Sequence, residues 1–239
     1  MRERFQKRAC TLSRRKVLSG AAALFAASAI TSVEGRGAHA QQSNAIAPSE
    51  ALDRLMQGNA RYAANEATAK DFSPSAAAQS ETRGPIGVIL GCADDPVPPE
   101  ILFDQEPGAL FVVRNAGNVV TDTVLASLEY AVQYQNVSLI IVLGHSNCRA
   151  IGMAFQAVRE RKELEGHLPE LVKAIEPAVL AAHAKHPRDF LGVTIEENVR
   201  LAGKNLIKAE PILSNALAAK KIAVSGGIHD IASGAIKLI

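Results

Sequence analysis

The sequence predicts an α/β fold in which a mainly parallel β-sheet is covered by helices on both faces. Three almost continuous apolar runs, Ile86–Leu90, Ala109–Val113 and Val137–Leu143, have the length of buried strands. Two other segments, Thr121–Gln135 and Asn147–Val158, carry apolar residues at helical spacing instead. Strands that are apolar on both faces are typical of parallel sheets, because the crossover helices then cover both sides.

The remaining elements follow from shorter patterns. Ser49 is expected to cap a first helix that runs to Tyr62, and residues 63–84 are expected to form a loop. Two further helices and two closing strands are expected at Leu168–Ala184, Ile195–Lys208, Lys221–Ser225 and Ala235–Ile239. The pattern contains no internal repeat and no second folded domain.

The composition excludes some classes of partner. Of the 239 residues, 48% are hydrophobic and 21% are charged, which supplies enough apolar material for a packed core. Aromatic residues make up only 4% and Trp is absent, which argues against surfaces that stack on nucleic-acid bases. The first 40 residues hold eight of the 26 Lys and Arg residues but only two of the 24 Asp and Glu residues. The rest of the chain is therefore net acidic, and nucleic acid is not an expected partner.

The first 40 residues have the pattern of an export signal. A twin-arginine motif, Ser13-Arg14-Arg15-Lys16, precedes an Ala-rich apolar run, and Ala38-His39-Ala40 has the form of a cleavage site. The run is short for a membrane span of about 20 residues, although an uncleaved anchor is the alternative. We therefore expect residues 1–40 to be an export signal, 41–48 a flexible leader and 49–239 the folded domain. The protein is expected to be periplasmic or secreted, with membrane contact only during export.

Two cysteines remain after residue 40, and both follow apolar runs. Cys92 comes directly after the first run, with Asp94 close behind, and His145 and Cys148 follow the third run. The carboxyl ends of parallel strands meet at one edge of the sheet, where sites of α/β proteins form. Two thiolates and an imidazole suit tetrahedral zinc, with a fourth position for water or for a carboxylate. In an exported protein, a disulfide between Cys92 and Cys148 is the alternative.

The segments around these positions resemble the β-class carbonic anhydrases. They are Leu55-x-x-Gly58-Asn59-x-Arg61-Tyr62, Gly91 to Asp104, Leu110 to Asn118, Leu125 to Ala131, Gly144-His145-Ser146-Asn147-Cys148 and Glu197-Asn198-Val199. The resemblance spans roughly residues 50–239. It implies a four-stranded, mainly parallel sheet, one zinc per subunit, and a homodimer or a tetramer built from dimers. It also implies reversible hydration of carbon dioxide to bicarbonate by zinc-bound hydroxide.

Carried over by position, the resemblance makes Cys92, His145 and Cys148 the protein ligands of Zn²⁺. Asp94 is then either a fourth metal ligand or the catalytic residue that holds the hydroxide through a hydrogen bond. The two roles exclude each other at any moment, because a bound carboxylate leaves no position for water.

Two positions beside this site depart from the family pattern. The family reads Cys-x-Asp-x-Arg, and its Arg pairs with the Asp, but here Pro96 stands in that place and offers neither charge nor donor. The family usually has Gly after His-x-x-Cys, and here Arg149 stands. If nothing replaces the missing Arg, Asp94 is expected to close onto zinc and leave a non-catalytic zinc protein. If Arg149 holds Asp94 bidentately, the protein is expected to be active.

Other residues of the matched region are expected to be structural. Arg114 and Gly117 are expected to support the backbone near the site, with Gly117 supplying conformational freedom, and His229 is expected to support a closing turn. The first helix has apolar residues but no evident partner within the unit. By resemblance we expect it to lie across a neighbouring subunit.

Overall fold

The computed structural model describes residues 46–80 and 84–239. The expected export signal and most of the expected leader lie outside the described residues. The described part of the chain forms one five-stranded sheet with eight α-helices. None of these helices combines the length and the apolar character that a membrane span needs.

Five strands make up the sheet: β1 (Gly87–Cys92), β2 (Leu110–Asn115), β3 (Leu139–His145), β4 (Ala223–His229) and β5 (Ile236–Leu238). Their spatial order is β2-β1-β3-β4-β5; the first four strands are parallel, and β5 pairs antiparallel with β4. The predicted mainly parallel α/β sheet is therefore confirmed, and the short β5 adds a fifth strand to the four that the resemblance implies. Because Gly91 is the register partner of Leu143, the carboxyl ends of β1 and β3 lie side by side.

The helices connect the strands and cover the sheet. They are α1 (Pro48–Ala63), α2 (Pro74–Ser80), α3 (Pro99–Leu102), α4 (Asp122–Tyr134), α5 (Arg149–Glu160), α6 (Leu168–Ala184), α7 (Phe190–Ile207) and α8 (Ile212–Ala218). The predicted bounds of α6 are confirmed, and those of α4 and α5 agree with the prediction to within two residues. These helices are long enough to show a clear helical period in the sequence.

Predictions about shorter helices and helix starts are wrong for five helices. Residues 63–84 are not loop throughout, because α2 forms within them, and α3 and α8 were not predicted. Helices of four to seven residues are too short to show a period. Ser49 does not cap α1, because the helix already begins at Pro48 and Ala47 takes the N-cap position. Helix α7 begins earlier than predicted, where the Asp189 side chain accepts a hydrogen bond from the Gly192 backbone N–H (2.9 Å).

Apolar side chains pack against both faces of the sheet. On one face, Val88 and Leu90 of β1 pack against α4, α7 and α8, and on the other face Ile89 packs against α1 and α3. Every residue of β1 and of β3 is buried. Neighbouring residues of a strand point to opposite faces, so a strand between two helical layers must be apolar throughout. This explains the continuous apolar runs in the sequence.

Helix α1 packs against its own chain, which corrects the expectation that it lacks a partner there. Leu55 is fully buried in the core beneath the sheet. The Asn59 side-chain amide donates to the carbonyl oxygens of Leu102 (3.2 Å) and Gly234 (2.9 Å). Its Oδ1 accepts a hydrogen bond from the Ile236 backbone N–H (2.8 Å). The helix is therefore part of the subunit core and does not by itself require a neighbouring subunit.

Candidate metal centre

Three side chains of metal-ligating type meet at the carboxyl ends of the adjacent strands β1 and β3. Cys92 is the last residue of β1, His145 is the last residue of β3, and Cys148 takes the N-cap position of α5 after a turn. All three are at most 1% exposed. Their donor atoms lie within 4.8 Å of one another. The topology thus brings together the three residues that the sequence predicts as protein ligands.

The two cysteines approach each other without forming a disulfide. Their sulfur atoms are 3.6 Å apart, well beyond the length of about 2.05 Å that a disulfide bond requires. Both residues are free cysteines, so the disulfide alternative is not formed here. Val119, Ile151 and Ile195 belong to the apolar cluster around the two sulfurs. An apolar surrounding of this kind limits the access of water and strengthens electrostatic interactions at a metal site.

The imidazole of His145 is oriented as a metal ligand. Its Nδ1 lies 3.1 Å from the carbonyl oxygen of Ser146, so Nδ1–H donates to that carbonyl and Nε2 keeps its lone pair. Nε2 is buried and has no hydrogen-bond partner among the described residues. A buried nitrogen without a partner is costly, and a metal ion would satisfy it. Two sulfurs and this nitrogen fit zinc, with the fourth tetrahedral position left open.

The surroundings of the two cysteines favour the thiolate form of Cys92 and the thiol form of Cys148. A hydrogen bond with Cys148 lowers the pKa of Cys92 far below its ordinary value, and the backbone N–H groups of Asp94 (3.3 Å) and Gly117 (3.2 Å) also donate to its sulfur. The same hydrogen bond, together with burial, raises the pKa of Cys148. Burial lowers the pKa of His145, but the nearby Cys92 sulfur more than offsets this effect and raises it. Zinc binds cysteine in the thiolate form, so metal binding would release any proton that the two cysteines still hold.

Gly117 owes its contact with the site to its backbone conformation. Its φ of 72° lies in the left-handed region that favours glycine, which confirms the predicted need for conformational freedom. The Asn198 side chain donates to the Gly117 carbonyl oxygen (2.8 Å) and so ties this turn to α7. The turn therefore presents its N–H to the Cys92 sulfur from a fixed position.

Asp94 lies beside the three candidate ligands, but its carboxylate is paired with Arg149. The Arg149 side chain donates from Nε to Oδ1 (2.9 Å) and from Nη2 to the same oxygen, and its backbone N–H donates to Oδ2 (2.9 Å). The hydrogen bond from the guanidinium is the main reason that the pKa of Asp94 lies below its ordinary value. Pro96 is exposed nearby in the same loop.

Two sets of contacts that the sequence did not predict hold the loop that carries Asp94. Arg114 donates to the carbonyl oxygen of Cys92 from Nε (3.0 Å) and Nη2 (2.7 Å), and from Nη2 to that of Asp95. The Asp95 carboxylate lies 2.8 Å from Nδ1 of His229, and both side chains are buried. Arg114 and His229 are thus structural, as predicted, but their specific partners leave no local signal in the sequence.

The family model for carbonic anhydrases matches residues 87–236, a segment that contains Cys92, Asp94, His145 and Cys148. The chain belongs to the β-carbonic anhydrase family. The carbonic anhydrase of Mycolicibacterium smegmatis is 33% identical to it over 199 residues, covering 80% of this chain and 93% of that relative. Carbonic anhydrase 2 of Mycobacterium tuberculosis is 34% identical over 191 residues, covering 78% and 90% respectively.

Solved β-carbonic anhydrases share the fold. Tetrameric β-carbonic anhydrases from Sordaria macrospora include a chain with a TM-score of 0.61 at 24% identity, covering 80% of this chain and 97% of that one. The Coccomyxa β-carbonic anhydrase, solved in complex with acetazolamide, has a TM-score of 0.56 at 25% identity, covering 80% and 82%. The predicted fold class is therefore confirmed.

Membership in the β-carbonic anhydrase family also identifies the metal. These enzymes use zinc, and the cluster of Cys92, His145 and Cys148 fits a zinc site. Asp94 is not part of this cluster of donor atoms. Whether it binds zinc, as one of the two sequence alternatives holds, stays a prediction.

Proposed function

We propose that this carbonic anhydrase catalyses the reversible hydration of carbon dioxide to bicarbonate with one bound zinc ion. The observation that carries the proposal is that, within residues 46–80 and 84–239, three protein donors converge, those of Cys92, His145 and Cys148, without a fourth. Structural zinc sites use four protein ligands, whereas catalytic sites keep one position for water. An open fourth position is the feature that hydration requires.

Each residue of the site has a separate role in the proposed reaction. When bound, zinc lowers the pKa of water at its open position to about 7, and so supplies a nucleophile for carbon dioxide at neutral pH. Cys92 and Cys148 would hold the metal as thiolates, and the hydrogen bond from His145 Nδ1 to the Ser146 carbonyl leaves Nε2 free to bind it. The carboxylate of Asp94 would accept a hydrogen bond from the hydroxide that attacks carbon dioxide, and so would orient this nucleophile.

Metal analysis and a hydration assay test this proposal together. The purified protein is expected to contain about one zinc per chain, because the described part of the chain holds one set of three ligands. Its hydration rate is expected to rise between about pH 6 and pH 8, through the pKa of about 7 that zinc gives to bound water. Protein stripped of zinc by a chelator serves as the control and should regain activity when zinc is returned. A zinc content near zero, with a Cys92–Cys148 disulfide in the mass spectrum, would contradict the proposal.

A second candidate function is zinc binding without catalysis. Pro96 removes the counter-charge that the family places beside Asp94, and a carboxylate bound to zinc would close the open position. The same assay separates the two functions. Protein that holds one zinc per chain but hydrates no carbon dioxide at any pH would support the non-catalytic role.

We propose further that the protein acts in the periplasm or after secretion. The support lies in residues 1–40, where a twin-arginine motif, an apolar run and a small-residue cleavage site follow one another. The twin-arginine route carries folded proteins, which suits a protein that acquires its metal before export. The membrane is then a partner only during export.

We also propose that the protein is a homodimer or a tetramer. Support comes from the tetrameric β-carbonic anhydrases of Sordaria macrospora, which share the fold. Intact mass and light scattering of the exported protein test assembly and export together: we expect a chain that begins at Gln41, in particles of two or four chains. A monomer at micromolar concentration would contradict the assembly proposal, and a chain that retains residues 1–40 would contradict cleavage.

A further inference from the structure

The structure places a guanidinium against the carboxylate that could close the metal site. We infer that Arg149 is a positioning residue that keeps Asp94 off the metal, and so replaces the counter-charge missing at Pro96. This inference rests on the proposed zinc site and deepens it. According to this inference, Arg149 determines whether the fourth position at the metal stays open or is closed by Asp94.

The contact engages both oxygens of the Asp94 carboxylate. Oδ1 accepts from two nitrogens of the Arg149 guanidinium, and Oδ2 accepts from the Arg149 backbone N–H at 2.9 Å. A planar guanidinium that donates from two nitrogens, together with a main-chain N–H donor, fixes the plane of a carboxylate as well as its position. A swing of Asp94 toward the metal would have to break all three hydrogen bonds.

Arg149 and the metal would compete for the same Asp94 carboxylate, because the Asp94–Arg149 pair lies directly beside the candidate ligands. Asp94 comes two residues after Cys92, and Arg149 comes directly after Cys148, so the pair joins the two segments that supply the sulfur ligands. The Asp94 backbone N–H also donates to the Cys92 sulfur (3.3 Å), which keeps the residue close to the metal position. Arg114 is occupied by the carbonyl oxygens of Cys92 and Asp95. Without Arg149, the metal would be a cation close to an Asp94 carboxylate that has lost its guanidinium partner.

The Arg149 side chain contributes little to the stability of the fold. It is the first residue of α5, where the positive end of the helix dipole disfavours a cation. Its side chain is 86% exposed, so it covers little apolar surface. Asp94, in contrast, places a negative charge at that helix end, where it is favourable. Loss of the Arg149 side chain should therefore change the metal site and leave the fold intact.

The test compares Arg149→Ala with Arg159→Ala, each loaded with zinc. Arg159 is exposed in the last turn of the same helix, so its variant is a matched control. In Arg149→Ala we expect a crystal structure with an Asp94 oxygen about 2.0–2.2 Å from zinc. We also expect slower release of zinc to a chelator, and hydration at least about tenfold slower at pH 7, because the nucleophile loses its position and its orienting group. Arg159→Ala and the parent protein should match in all three measurements.

These outcomes separate the inference from the proposed function. A parent protein that hydrates no carbon dioxide would end the proposed function, but the position of Asp94 in the two crystal structures would still decide the role of Arg149. The inference is overturned if Asp94 binds zinc in the parent protein, or stays off zinc in Arg149→Ala. Loss of activity with faster zinc release and no bound Asp94 would indicate a merely structural role and also overturn it. Arg149→Gln, which is neutral but similar in length, carries the same expectations and replaces the alanine variant if that one does not fold.

Discussion

Replacing Cys92 with serine is expected to remove zinc from the protein and to abolish hydration. A serine hydroxyl stays protonated at neutral pH and is a poor zinc ligand, so one sulfur and one imidazole would remain. Removing even an outer partner of a zinc ligand costs about 10- to 100-fold in affinity, so loss of the ligand itself should cost more than about 100-fold. Chelator competition measures the affinity, and the hydration rate is measured with one equivalent of zinc added.

Val119→Ala is the control for general damage to the site. Val119 is buried in the same apolar cluster as Cys92 but has no atom that can bind zinc. The variant is expected to lower the free energy of unfolding by about 1–2 kcal/mol, through lost burial and a small cavity. It should retain zinc, with an affinity far closer to that of the parent protein than to that of Cys92→Ser. A Cys92→Ser variant that holds a full equivalent of zinc against the chelator would show that Cys92 is not a ligand.

The sheet and the candidate ligand positions could be predicted because both leave a local signal. Strands β1 and β3 are apolar at nearly every position, since each lies between two helical layers. Cys92 and His145 each end such a run. The parallel pairing of β1 with β3 then brings the two residues together at one edge of the sheet.

The contacts that support the site could not be predicted, because they join distant parts of the chain. Asp95 and His229 are 134 residues apart and meet only because β4 lies beside β3. The pairing of Asp94 with Arg149 shows an intermediate case. Its residue type and position made Arg149 a candidate partner, but whether its side chain reaches Asp94 depends on geometry across 55 residues.

Helix α1 shows the same limit. Its apolar face is evident in the sequence, whereas its partner is not, because that partner is assembled from α3, β5 and the underside of the sheet. The expectation that α1 lacks a partner within its own subunit was wrong for this reason, whereas its contact with a neighbouring subunit stays a prediction. The tight contact between α1 and the rest of the chain leads to a second prediction with a large effect.

Gly58→Ala is expected to lower the free energy of unfolding by about 3 kcal/mol or more. A Cβ atom at Gly58 would lie 1.8 Å from the carbonyl oxygen of Phe103, and this oxygen already accepts a hydrogen bond from the Gln105 side chain (2.7 Å). Backbone cannot yield as a flexible side chain does, so α1 must move away from the core. That movement would also disturb the buried Leu55 and the Asn59 hydrogen bonds. Thermal unfolding should shift down by about 6–12 °C.

Gly203→Ala is the matched control, because it makes the same substitution inside another helix. A Cβ atom at Gly203 of α7 would meet nothing within 4 Å, so only helix propensity should act. Alanine favours a helix over glycine by up to about 1 kcal/mol, so this variant is expected to be as stable as the parent or slightly more stable. Gly58→Ala should therefore lower the unfolding temperature, whereas Gly203→Ala should leave it unchanged or raise it slightly. If both raise it, propensity outweighs the contact at Phe103, and α1 does not approach the core as closely as the structure has it. A loss of stability in Gly58→Ala but not in Gly203→Ala would establish that this glycine allows α1 to pack closely against the core of its own subunit.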